Sequence, residues 1–133
     1  MNRLIKEFQA EKEYILNTLE ALKKAMNRKT ITVVELAAIS TFLHNTYNGI
    51  ENILKRTLKF KEILIPVSGY WHKQLLDFSI NNKIISLELS KKLDEYRAFR
   101  HFFVHGYGIV LEKDKLLPLA EKIPNLWKEL SQK

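Results

Sequence analysis

A short segment near the end of a predicted helix carries side chains that suit phosphate chemistry. It contains Arg100, His105 and Tyr107. A guanidinium group holds phosphoryl oxygens through paired hydrogen bonds, and an imidazole transfers a proton near neutral pH. An RNA 2′-hydroxyl can attack the adjacent phosphate when a base removes its proton and an acid protonates the leaving 5′-oxygen. The segment therefore predicts chemistry on a phosphate ester.

The helix that carries this segment has an apolar side and a polar side. An advance of about 100° per residue brings Phe102, Phe103 and Gly106 to within about 60° of Phe99. We predict that this side faces the core. The opposite side carries Asp94, Arg97 and His101.

Arg100 and His105 flank the polar side of the helix, about 140° apart, with Val104 exposed between them. A long arginine side chain can close such a gap at the rim of a shallow groove. The alternative is structural: Arg100 pairs with Asp94 or Glu95 on the surface, and His105 only caps helix carbonyls.

Two histidines lie one helical turn apart at the end of this helix. His101 and His105 have the i, i+4 spacing that allows two imidazoles to share a metal ion, and Asp94 lies on the same side. No third His, Cys or Glu close in sequence completes a set. We therefore predict no metal site and no cofactor.

A polar stripe runs along the second predicted helix. His44, Tyr47, Asn48 and Glu51 follow i, i+3, i+4, i+7 spacing and share one face, and Gly49 beside them allows another helix to approach closely. Two interpretations are open. The stripe is a set of buried polar groups that satisfy one another at a helix crossing, or Glu51 orients an active-site group.

Trp71 and His72 form the third unusual place in the sequence. Trp71 fits a core position better than a platform on which bases stack. We count His72, together with His101, Arg97, Glu51 and Tyr47, among the possible supporting residues of the site.

The composition indicates one helical domain that spans residues 1–133. Hydrophobic residues make up 46% and charged residues 28%, and Gly and Pro are scarce at 4 and 3. The absence of Cys excludes disulfides and fits the cytoplasm. No apolar run is long enough to span a membrane, and the charged first residues do not resemble a signal peptide. The net charge of +7 suits a polyanion such as RNA or an acidic partner, or is simply a lysine-rich surface.

The hydrophobic periodicity predicts an all-α, five-helix up-and-down bundle. Thr32 with Glu35 is a predicted capping box, and Ser86 is a predicted N-cap. The last helix is expected to bend or restart at Pro118 or Pro124. The predicted helices cover residues 2–27, 33–59, 72–80, 87–105 and 114–130.

These motifs resemble those of the HEPN superfamily, and specifically the HepT-like toxins of HEPN/MNT toxin-antitoxin pairs. Residues 99–108 match the Arg-x4-His-x-Tyr signature of that group. Residues 47–51 on the second helix, and Trp71 with His72 before the third, are also similar to its pattern. The resemblance covers nearly the whole helical layout, and its specificity rests mainly on the fourth helix.

The resemblance implies a metal-independent endoribonuclease with an HEPN-type bundle. Arg100 and His105 would be catalytic, and Tyr107 would be the third signature residue. Relatives form homodimers whose signature helices face each other across a cleft. The implied partner is an MNT nucleotidyltransferase antitoxin, which can silence the toxin by attaching AMP to the signature tyrosine.

Two other functions are compatible with the sequence. The first is a non-catalytic HEPN module that binds a nucleotide and serves a partner nucleotidyltransferase. In that case Arg100 grips phosphate and His105 transfers no proton. The second is a helical interaction domain that neither cleaves RNA nor binds a nucleotide.

Overall fold

The fold is built from helices alone in the part of the chain that the computed structural model describes, which is residues 2–64, 71–105 and 113–131. The predicted all-α class is confirmed, and each predicted helix boundary lies within one residue of the observed one. Within the same ranges, no helix is both long and apolar enough to cross a membrane. The helices are α1 (Asn2–Met26), α2 (Val33–Phe60), α3 (Trp71–Asn81), α4 (Leu87–Val104) and α5 (Lys113–Ser131).

Both predicted helix caps are present. The Thr32 hydroxyl accepts a hydrogen bond from the backbone N–H of Val34 at 3.2 Å, and the Thr32 N–H donates to Glu35 Oε1 at 2.8 Å. The hydrogen bonds from Thr32 lower the pKa of the Glu35 carboxyl. At the start of α4, Ser86 Oγ accepts from the N–H of Leu89 at 3.0 Å. These caps satisfy N–H groups that the first helical turn leaves without partners.

α2 is the central helix, since it packs against each of the other four. Its contacts with α1 are the most extensive. Arg56 donates a hydrogen bond to Glu7 at 2.6 Å, and Asn52 donates to Glu11 at 3.1 Å. The partners advance along α1 as they recede along α2, so the two helices are antiparallel.

α1 approaches α2 most closely at Gly49. A Cβ atom at Gly49 would lie 2.6 Å from Ile15 Cγ1, which is shorter than a van der Waals contact. Gly49 is buried, and Ile15 is fully buried in the core. The prediction that Gly49 allows a neighbouring helix to approach is confirmed.

We expect Gly49→Ala to lower the free energy of unfolding by about 1 kcal/mol. Overpacking costs about 1–3 kcal/mol, while alanine recovers up to about 1 kcal/mol of helix propensity. Urea denaturation measures the difference. In an Ile15→Ala background the obstructing side chain is gone, so Gly49→Ala should there be neutral or stabilising. Equal destabilisation in both backgrounds would contradict the packing explanation.

α5 continues through Pro118 and Pro124, so the last helix does not restart at either proline. Each proline removes one backbone donor and crowds the preceding turn. Burial of one apolar face holds the helix together despite that cost. The buried residues of α5 are Leu116, Ala120, Ile123, Leu126, Trp127 and Leu130.

The buried face of α4 matches the predicted one only in part, since Phe99 packs against the core as predicted. Leu89, Leu93 and Tyr96 are buried, whereas Phe102 is 42% exposed, although we predicted it in the core. These three buried residues centre on a direction about 150° away from Phe102 around the helix. This direction includes Arg100, so its side chain points towards α2.

Candidate functional site

The polar stripe of α2 lies at a crossing with α3 and α4. Glu51 and Tyr47 are almost fully buried, while His44 and Asn48 are half-buried. The four side chains share the face that the sequence predicts. Buried polar groups need hydrogen-bond partners, and α3 and α4 supply most of them here.

The Glu51 carboxylate is held by the first turn of α3. His72 Nδ1 lies 3.0 Å from Glu51 Oε1 and 2.8 Å from Oε2. Only 3% of the Glu51 side chain is exposed, so His72 is an important partner for a buried carboxylate. The structure thus brings together two residues that the sequence predicts as supporting ones.

Arg100 reaches from α4 into the same cluster. Its Nε donates a hydrogen bond to Asn48 Oδ1 at 3.2 Å and lies 3.9 Å from Glu51 Oε1. Neither terminal nitrogen of Arg100 donates to another residue among those the structure describes. The side chain is 23% exposed. The contacts therefore fix the inner edge of the guanidinium against α2.

Asn48 connects Arg100 to His44. Its Oδ1 accepts from Arg100, so its Nδ2 is the donor to His44 Nε2 at 3.1 Å. This pattern assigns the His44 proton to Nδ1. The ring of His44 also stacks on Phe103 of α4, with centroids 4.7 Å apart. The sequence placed Asn48 on the polar stripe but did not predict that it connects Arg100 to His44. The only sequence signal for this connection was the i, i+4 spacing between His44 and Asn48.

Burial favours the neutral form of His44. Burial, followed by the positive charge of Arg100, lowers the pKa of His44 below its ordinary value of 6.5. A neutral imidazole is required for Nε2 to accept from Asn48. Protonation of His44 would therefore break the chain of hydrogen bonds that reaches Arg100.

We expect the hydrogen-bonded pair of His44 and Asn48 to make the free energy of unfolding depend on pH in the acidic range. The His44 imidazole binds a proton more tightly in the unfolded state than in the folded state, because folding lowers its pKa. The neutral ring therefore stabilises the fold above about pH 6.5, and this stabilisation is lost as the pH falls through the lower folded-state pKa. The wild type should lose more free energy of unfolding than His44→Gln between pH 7.5 and 5. Urea denaturation at both values tests this, since all other titrating groups are common to both proteins. Parallel losses would contradict it.

Tyr47 is a structural member of the cluster. Its hydroxyl is buried beside Glu51 and forms no hydrogen bond of standard geometry with the described residues. Burial, and then the nearby Glu51 charge, raises the pKa of Tyr47. Its ring lies 6.4 Å from that of Tyr96 on α4. Tyr47 thus packs α2 against α4 and stays protonated.

Arg97 is paired within its own helix. Its Nε donates to Asp94 Oδ1 at 2.6 Å, and this hydrogen bond raises the pKa of Arg97. The alternative in which Arg100 pairs with Asp94 or Glu95 is wrong, because its guanidinium contacts Asn48 and Glu51 of α2 instead. Arg97 lies one turn before Arg100 but outside the buried cluster.

His101 and His105 lie on the solvent side of α4. Both side chains are exposed, and their ring centroids are 4.2 Å apart. The backbone N–H of His105 donates to the carbonyl of His101 at 3.2 Å, so the helical spacing persists to this point. Arg100 points towards α2, and the structure does not join Arg100 and His105 within one chain.

The remaining predicted residues divide into two groups. Tyr107, with Gly106, lies outside the described residues. Trp71 packs against the core as predicted. Its ring centroid lies 3.5 Å from that of His72 and 4.3 Å from Lys55 Nζ.

Among the residues the structure describes, no group of three or more His, Asp or Glu side chains could hold a metal ion.

Comparison with known proteins identifies the family. A family model described as "HepT-like protein" matches residues 38–133, which is more than half of the chain and covers most of α2 and all of α3, α4 and α5. Searches of curated proteins and of solved structures gave no match. The chain belongs to the HepT-like family, and the predicted resemblance is confirmed.

Proposed function

We propose that this member of the HepT-like family is a metal-independent endoribonuclease, the toxin of a toxin-antitoxin pair. The observation that carries the proposal is the fixed guanidinium of Arg100. Its Nε is held by Asn48 and lies beside buried Glu51, while its terminal nitrogens are left for phosphate oxygens. His105 lies five residues further on, at the exposed end of the same helix.

The proposed reaction is a transesterification within the RNA chain. His105 takes the proton of a 2′-hydroxyl, the 2′-oxygen bonds to the adjacent phosphorus, and the bond to the 5′-oxygen breaks. A protonated imidazole supplies the proton to that leaving oxygen. Arg100 stabilises the negative charge on the phosphorane oxygens. The products carry a 2′,3′-cyclic phosphate and a 5′-hydroxyl.

A homodimer supplies the second imidazole that this reaction needs. One His105 cannot easily act on both sides of the same phosphorus atom, and two copies across a two-fold axis can. The exposure of Phe102 and Val104 at the end of α4 supports an interface there, since both are large apolar residues next to polar neighbours. We place the RNA in the cleft between the two α4 helices.

An RNase assay on the untagged wild-type protein tests the proposal. We expect cleavage of single-stranded RNA in excess EDTA, with 2′,3′-cyclic phosphate ends detected by mass spectrometry. Size-exclusion chromatography with light scattering of the same sample should give the mass of a dimer. Cleavage that EDTA abolishes, or products with 3′-hydroxyl ends, would rule out the proposed chemistry.

A non-catalytic module that binds a nucleotide is the second candidate. One observation favours it: within one chain Arg100 faces α2, whereas His105 is exposed beside His101. In this alternative Arg100 holds a phosphate without help from His105. Binding of AMP or ATP by the wild type, lost in Arg100→Ala and kept in His105→Ala, together with no RNA cleavage, would support this alternative.

We also propose that an MNT nucleotidyltransferase is the antitoxin partner and that it adenylylates Tyr107. Glycines flank Tyr107 at 106 and 108, so the local chain has little bulk and can enter another active site. Attached AMP would add size and negative charge where RNA phosphates enter. Intact-mass spectrometry after co-expression should show added mass in multiples of AMP, absent in Tyr107→Phe. An unmodified but inhibited complex would mean that the antitoxin acts by occlusion.

A further inference from the structure

Two exposed imidazole rings adjoin each other at the end of α4. The ring centroids of His101 and His105 are 4.2 Å apart, with their planes tilted by 51°. Neither ring forms a hydrogen bond or ion pair with another residue of the described ranges. His44 and His72 differ, because one ring nitrogen of His44 is engaged by Asn48 and one of His72 by Glu51.

The position of this pair favours a cation. The carbonyl end of a helix carries partial negative charge, and His105 is the C-cap residue of α4. The two nearest arginines do not oppose an ion strongly. Arg97 is neutralised by Asp94 at 2.6 Å, and Arg100 points away towards α2.

We propose that His101 and His105 of one chain form a two-histidine site for a divalent transition-metal ion such as Zn²⁺, Ni²⁺ or Cu²⁺. Imidazole nitrogen suits these ions, whereas Mg²⁺ and Ca²⁺ prefer oxygen ligands. Histidines at i and i+4 place both donor nitrogens on one side of the helix. Water completes the coordination, so the ion exchanges readily, unlike one held by four protein ligands.

The site has a regulatory consequence, which rests on the proposed ribonuclease function. A metal ion occupies the ring nitrogen lone pair with which His105 would accept the 2′-hydroxyl proton. It also places positive charge beside that nitrogen and excludes the proton that an acid must carry. Transition-metal ions should therefore inhibit RNA cleavage, and removal of the ion should restore it.

Isothermal titration of the untagged protein with NiCl₂ tests binding without reference to activity. We expect one Ni²⁺ per chain in the wild type and no heat of binding from MgCl₂. His101→Gln and His105→Gln should each weaken Ni²⁺ binding by at least about tenfold, since either change removes one of two ligands. Lys91→Gln, an exposed substitution earlier on α4, is the matched control and should bind as the wild type does. Unchanged binding by both histidine variants would overturn the proposal.

An inhibition assay separates this inference from the proposed function. ZnCl₂ should suppress cleavage by the wild type, and excess EDTA should restore it. His101→Gln, compared with its own rate without zinc, should be at least about tenfold less sensitive. Metal binding without any RNA cleavage would support the two-histidine site and contradict the proposed ribonuclease function. RNA cleavage by a wild-type protein that binds no Ni²⁺ would support the ribonuclease function and contradict the two-histidine site.

Discussion

RNA cleavage by His105→Ala is expected to fall by about 10²–10⁴-fold, the usual contribution of a positioned acid or base. Arg100→Ala should lose about 10²–10³-fold, because it removes the groups that stabilise charge in the transition state. Initial rates on a fluorescently labelled single-stranded RNA, measured in EDTA, give both values. Growth inhibition on expression in a host cell should disappear in parallel.

The fold of both variants must be shown to be intact. The His105 side chain is exposed, so its removal should change the free energy of unfolding by less than about 0.5 kcal/mol. Arg100→Ala removes the hydrogen bond to Asn48 and should cost about 1 kcal/mol. Lys91→Ala on the exposed side of α4 serves as the activity control. Full activity in either site variant, with a native circular dichroism spectrum, would remove that residue from the mechanism.

The second large effect is expected from Glu51→Ala. This change leaves His72 without the carboxylate at 2.8 Å and leaves Arg100 without its nearest negative charge, at 3.9 Å. Removal of one member of a buried polar pair costs about 2–4 kcal/mol. We therefore expect a clear fall in the urea midpoint, together with lower RNA cleavage per folded molecule because Arg100 loses its fixed orientation.

Glu51→Gln separates the two effects. Glutamine keeps the volume and can still accept a hydrogen bond from His72, but it removes the charge beside Arg100. It should therefore recover most of the stability and less of the activity. If Glu51→Gln restored both fully, the carboxylate would have only a structural role. If Glu51→Ala had wild-type stability, the cluster would not support the packing of α2, α3 and α4.

The sequence by itself determined the helices and several local features. Periodic apolar residues fixed all five helices, and the caps at Thr32 and Ser86 depended on residues within one turn of each cap. Gly49 signalled the close approach of α1 for a similarly local reason, since only a missing side chain allows such contact. The set of polar residues on α2 was likewise predictable from i, i+4 spacing, and the family signature could be read from residues 99–108.

Tertiary structure alone decided which of these residues meet. Helical periodicity gives relative angles around α4, but the direction that faces α2 depends on how all the helices pack. The predicted face centred on Phe99, and the observed one turns Arg100 inward and Phe102 outward. The Glu51–His72 contact joins residues 21 positions apart across two helices, and no local spacing specifies it. Local interactions set each helix, whereas the site arises where buried polar groups from three helices must satisfy one another.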